Sequence, residues 1–137
     1  MSEESGEAGS RGGAPGRASG GERVRTDAAV IALRMEDITV WVIERVAKMP
    51  RDHKFTVGDK LVETCLEVTT LLVEASFTRD RLGLLGAASR ALTRARVLVR
   101  VAQRLGLLSS AQREHFARES LEVGKMLGGW TRATRVR

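Results

Sequence analysis

Cysteine occurs once, at Cys65, so the 137-residue chain can close no disulfide of its own and offers no cysteine cluster to a metal. That usage suits a reducing compartment, and a cytoplasmic protein is expected. Proline occurs twice and tyrosine not at all, which leaves three Phe and two Trp as the only aromatic side chains apart from histidine. So few rings provide few stacking platforms and argue against sequence-specific reading of a single strand. No apolar run reaches the roughly 18 residues of a membrane span, and the N-terminus has no apolar stretch of the secretory kind, so no membrane partner is expected. His53 and His115 are the only histidines. Glu119 follows His115 by four residues and can share its helix face, but the pair alone points to a surface or packing role rather than to a metal or acid–base site. A glycine-rich phosphate loop, a nucleophile elbow and paired carboxylates are all missing. The expectation is a chain with no enzymatic activity, no catalytic residue, no metal and no cofactor.

What is present is helix-forming. Leu, Ala, Arg, Glu and Val dominate the middle and end of the chain, a mixture that favours helix over strand. The net charge of +6 is unevenly placed: residues 1–78 carry 10 Lys/Arg and 13 Asp/Glu, residues 79–137 carry 13 and 4, giving −3 and +9. A basic surface concentrated in this way attracts polyanions over a Debye length of roughly 10 Å.

Residues 1 to about 22 hold seven of the fourteen glycines and no large apolar side chain, so they cannot offset the entropy of ordering. A disordered Gly/Ser-rich tail is assigned to 1–24 and a folded domain to 25–137. Within that domain four helical periods follow one another with short breaks. The first, about 26–49, is capped by Thr26 and repeats Ile31, Met35, Ile38, Val42, Val46 and Met49 at threes and fours, with Pro50 at its end. The second, about 52–77, is capped by Asp52 or Thr56 and carries Leu61, Cys65, Val68, Leu72 and Ala75. Over about 80–105 the third carries Leu85, Ala88, Leu92, Ala95, Val99 and Ala102, broadened by Leu84, Ala91, Leu98 and Leu105 and closed by Gly106. The fourth opens with the capping pattern Ser109 to Gln112 and continues through Phe116, Ser120, Val123, Leu127 and Trp130. Four long helices on short loops predict an all-α, up-down-up-down four-helix bundle.

Candidate functional residues lie in the basic half. Arg90, Arg94, Arg96, Arg100 and Arg104 occur within fifteen residues that contain no acid. At about 100° per residue they span an arc of roughly 160°, opposite the Leu85/Leu92/Val99 seam. No carboxylate on the same helix relieves their mutual repulsion, so an external anion or an acidic neighbour is implied. Arg132 and Arg135, with Arg137, end the chain. Arginine outnumbers lysine 19 to 4, and guanidinium forks match phosphate and carboxylate geometry. Any nucleic-acid binding is therefore expected through phosphates, with steep salt dependence. Gly124, Gly128 and Gly129 each weaken the fourth helix by roughly 1 kcal/mol relative to Ala, which implies either a close backbone neighbour, with Trp130 closing the core, or a notch for a partner.

Four segments, Lys48-Met49-Pro50-Arg51-Asp52-His53-Lys54-Phe55, Gly58-Asp59-Lys60-Leu61, Leu105-Gly106-Leu107-Leu108-Ser109 and Glu122-Val123-Gly124-Lys125-Met126-Leu127-Gly128-Gly129-Trp130, together resemble the Avd family, the accessory variability determinants of diversity-generating retroelements. The likeness runs from about 28 to 134 and extends to the four-helix-bundle proteins encoded in ribosomal RNA intervening sequences. It implies a homopentamer of four-helix bundles that binds the retroelement's reverse transcriptase and nucleic acid (template RNA, cDNA and DNA) in support of mutagenic reverse transcription and retrohoming. On this reading Pro50, Arg51, Asp52, Gly124, Gly128, Gly129 and Trp130 serve packing or partner contact. Two alternatives stand beside it: an intervening-sequence-type bundle, and a purely structural oligomerisation module.

Overall fold

In a computed structural model of the chain, residues 20–136 are described, with side chains from residue 28 onward. Five α-helices follow in order: α1 Gly20–Val46, α2 Arg51–His53, α3 Asp59–Ser76, α4 Leu82–Arg104 and α5 Ser110–Arg135. A π-helical turn, Lys54–Gly58, joins α2 to α3, so residues 51–76 form one continuous rod. Each rod packs on its sequence neighbours, and α5 returns to α1, closing a four-membered ring. The architecture is the expected four-helix bundle, and among the described residues there is no strand.

The core follows the predicted seams. All six positions of the first repeat are buried, Ile31 to Val46 on α1 and Met49 just past its end, as are Leu61, Cys65, Val68, Leu72 and Ala75 of α3. On α4 the Leu85-to-Ala102 repeat is buried with Ala91, and α5 contributes Phe116, Ser120, Val123, Leu127 and Trp130. Leu84 and Leu98 pack partly against this core, whereas Leu105, expected to broaden it, is 47% exposed. The helix has already ended there: Leu105 is the C-cap, and its side chain has passed beyond the next layer of the bundle.

Helix ends explain the connections. Gly106 takes φ +77°, its N–H donates to Gln103 O at 3.0 Å, and the Leu107 N–H donates to Ala102 O at 2.9 Å. That is a Schellman closure, and it requires a residue free to adopt the left-handed conformation. Three residues on, Ser109 Oγ accepts from Gln112 N at 3.0 Å while Gln112 Oε1 accepts from Ser109 N at 2.9 Å, completing the capping box.

Two predicted caps are corrected. α1 begins at Gly20, so Thr26 lies inside it and residues 20–24, assigned to the tail, are helical; the rest of the tail, 1–19, lies outside the described residues. Beyond the glycine pair the run Glu22-Arg23-Val24-Arg25 has no helix breaker, so the helix extends upstream. Neither Asp52 nor Thr56 caps the second rod. Pro50 occupies that position in extended geometry, and Thr56, inside the π turn, donates its hydroxyl to His53 O at 3.2 Å. Gly58 ends that turn where a Cβ would stand 2.8 Å from Val46 Cγ1, so the rod crosses the end of α1 at glycine distance.

Candidate nucleic-acid interface

The second half of the chain folds as one hairpin, α4 and α5, and its described residues 79–136 carry 12 Lys/Arg against 4 Asp/Glu, a net +8. Helical periodicity places Arg100, Arg104 and Arg90 at the centre of the α4 basic arc, with Arg96 and Arg94 at its two edges. The structure treats centre and edges differently. Arg90, Arg100 and Arg104 are exposed, and among the described residues no carboxylate lies within ion-pair distance of them. From Arg90 to Arg104 this track runs about 21 Å at 1.5 Å per residue.

Arg94, on the edge turned toward α3, reaches Glu67 with Nη2–Oε1 2.9 Å. Both side chains are about half exposed, so the pair contributes at most about 1 kcal/mol. Even so, it neutralises one of the five charges. Arg96, on the opposite edge, turns toward α5 and is only partly exposed. Its Nη2 donates to Ser120 O at 2.9 Å and its Nε to Ser120 Oγ at 3.3 Å. Burial lowers its pKa from the ordinary value, yet a guanidinium keeps its proton at any ordinary pH, so a half-buried cation stands here on a neutral acceptor. Of the five arginines expected to point outward unneutralised, three do so, one is matched by a carboxylate and one is folded into the α4/α5 groove.

Gly124 makes that folding possible: a Cβ there would lie 2.9 Å from Arg96 Nη2. The close neighbour implied by this glycine is a guanidinium, not a backbone. Gly128 and Gly129 have no such neighbour, since only Arg132, on their own helix, comes within 4 Å of a Cβ at either position. The side chain of Arg132 folds back over the pair. Trp130 is buried in the core as expected, with Arg81 Cζ 5.7 Å from its ring centroid and its Nε1 buried without a hydrogen-bond partner. Pro50, Arg51 and Asp52 lie at the opposite end of the bundle, where α1 hands over to the second rod, and Arg51 Cζ stands 5.5 Å from the Phe55 ring. The Pro50 segment and the glycine–tryptophan segment therefore do not form one site.

Arg113 was not singled out in the sequence. It stands three residues into α5 and Arg100 four residues from the end of α4, so the tight turn at Gly106 sets both beside one recess. That near-symmetry about the turn was the available signal. With Arg96 they surround a recess of about 290 Å³ whose apolar wall includes Phe116, Ala117 and Leu121. On α5, Arg113, Arg135 and Arg132 fall at about 60°, 100° and 160° from Phe116, on the same flank as Ser120 and Gly124. Arg132 and Arg135 thus continue the basic track along the hairpin, away from the Gly106 turn. A second recess, about 470 Å³ between α3 and α4, is bordered by Lys60, Glu63, Glu67 and Arg94, charges of both signs.

His115 packs on Trp41, ring centroids 4.8 Å apart, and among the described residues no group of His, Cys, Asp or Glu is arranged to hold a metal. No described helix is long and apolar enough to cross a membrane. A sequence model described as bAvd-like matches residues 29–134, from the first buried turns of α1 to the last turn of α5. The chain belongs to the bAvd-like family. This is the family of accessory variability determinants, accessory proteins of diversity-generating retroelements, and the match spans all the bundle's rods. Searches of curated proteins and of solved structures return no significant match to this bAvd-like chain.

Proposed function

We propose that this bAvd-like protein is a non-catalytic subunit that binds the reverse transcriptase of its retroelement together with template RNA and cDNA, supporting mutagenic reverse transcription and retrohoming. The observation that carries the reading is the track of Arg90, Arg100 and Arg104, exposed and without ion partners among the described residues, on a preformed hairpin. An unneutralised guanidinium row loses self-repulsion and gains charge-assisted hydrogen bonds when phosphates line up along it.

The transcriptase is assigned to the other hairpin, where Glu36, Asp37 and Glu44 are exposed on α1 and suit a basic protein surface. Leu33, Val40 and Ile43 stand 59%, 55% and 43% exposed among those carboxylates on the same face of α1 and add apolar area to that contact; self-association into the pentamer that the family resemblance implies is proposed alongside it. The test combines co-purification with the transcriptase, light scattering of the isolated protein and a salt titration of RNA affinity. Capture of the transcriptase, with RNA affinity that falls as salt rises, is expected; absence of both interactions overturns the proposal.

A further inference from the structure

The recess between α4 and α5 differs in kind from the rest of the basic track. Its three charged lining residues, Arg96, Arg100 and Arg113, are all cationic, whereas the larger α3/α4 recess balances Lys60 and Arg94 against Glu63 and Glu67. Arg96 is held as an inner wall by two hydrogen bonds to Ser120, and the missing Cβ of Gly124 leaves it room. Arg100 and Arg113 stand exposed, with donors free to turn outward. Between them lies an apolar surface to which Ala117 and the half-exposed Leu121 contribute.

A ligand that fits must carry negative charge at the rim and a flat or apolar body of small size, since about 290 Å³ is at the lower end of small-molecule sites. A simple phosphate would leave the apolar wall unused, and a base-paired helix cannot insert a body into it. On the proposed nucleic-acid reading, we infer that this recess takes one unpaired nucleotide of the bound RNA, its phosphate on Arg100 and Arg113 and its base laid between the Arg96 guanidinium plane and the Ala117/Leu121 wall. Arginine planes and apolar side chains both stack on splayed bases. The polar groups of Ser120 are already engaged by Arg96, so little is left to read a base edge, and the site accepts any base. A duplex must first unpair and unstack to enter it, which makes the recess a selector for single-stranded segments.

The test compares a 12-nucleotide oligouridylate with a 12-base-pair RNA duplex by fluorescence anisotropy, using the full chain and its Ala117→Phe variant, which fills the recess from an exposed helix position. The wild type is expected to bind the single strand about tenfold more tightly. Ala117→Phe should abolish that preference and leave duplex affinity and helical circular dichroism unchanged, and Leu121→Glu, which turns a carboxylate toward Arg100 and Arg113, should weaken both RNAs and the single strand more than the duplex. Equal affinity of the wild type for both RNAs, or a preference that survives Ala117→Phe, overturns the inference while leaving RNA binding intact. Failure to bind either RNA sinks the nucleic-acid reading as well. If Ala117→Phe weakens capture of the transcriptase and alters neither RNA affinity, the recess belongs to an acidic protein segment and the nucleotide is excluded.

Discussion

Two glycines with the same intrinsic cost in a helix do different work here, and substitution separates them. At Gly58 a Cβ would sit 2.8 Å from Val46 Cγ1, in a buried contact with a β-branched side chain that has little room to turn. At Gly124 the obstructing atom is Arg96 Nη2, the end of a long side chain that can swing into solvent. Gly58→Ala is therefore expected to destabilise the fold by about 1–3 kcal/mol through overpacking. Gly124→Ala should leave stability within about 1 kcal/mol of the wild type, because the gain in helix propensity offsets the lost Arg96–Ser120 hydrogen bonds. Urea denaturation of both variants measures the difference, and equal losses would contradict this account. Cys65 supplies a second residue-scale test. Burial pushes its thiol up to about 12. A pKa raised on folding favours the protonated state, so the associated stability is intact below the ordinary thiol value near 9 and is lost as pH rises from there toward 12. At pH 10 the loss attributable to this group is about 1 kcal/mol. Cys65→Val should remove that component of alkaline destabilisation, measured as the slope of unfolding free energy between pH 8.5 and 10.5. In the native protein at neutral pH the thiol should also resist alkylation.

At the scale of elements, the seams were legible because period and composition agreed: every α1, α3 and α5 position assigned to the core is buried, down to Ser120 among apolar neighbours. The turn between α4 and α5 was equally legible, since Gly106 and the Ser109/Gln112 pair are local signals that need no tertiary context. Ser109→Ala is expected to cost about 1 kcal/mol, with fraying confined to the first turn of α5, checked by amide exchange at Gln112 and Arg113. The π turn at Lys54–Gly58 was not legible. It inserts an extra residue into a rod whose apolar spacing only resumes at Leu61, and its cause is tertiary: the rod must cross Val46 and Met49 at the end of α1, and Gly58 is the residue that lets it pass. A cap sought at Asp52 or Thr56 was a reading of local pattern where a crossing decided the geometry.

For the molecule as a whole, the uneven charge along the chain becomes an uneven charge in space, because the described residues 20–78 form one hairpin and 79–136 the other. The direction of the arginine arc could be read from helical period alone. Which arginines remain available could not, because that depends on Glu67 from α3 and Ser120 from α5, one on each edge of the arc. The central and edge arginines should accordingly separate in experiment. Arg100→Glu with Arg104→Glu places two carboxylates in the open track, and it should lower RNA affinity steeply while costing less than about 1 kcal/mol of stability, both sites being exposed. For a single strand each phosphate contact contributes about −0.7 to the slope of log affinity against log salt, so loss of two contacts should flatten that slope by about 1.4. Arg94→Gln breaks only the Glu67 pair and should change the slope by much less, since a guanidinium already satisfied by a carboxylate releases no additional counterions when RNA arrives. If Arg94→Gln flattened the slope as much as one of the central substitutions, the Glu67 pair would have to open on binding, and the phosphate track would extend across the full width of α4.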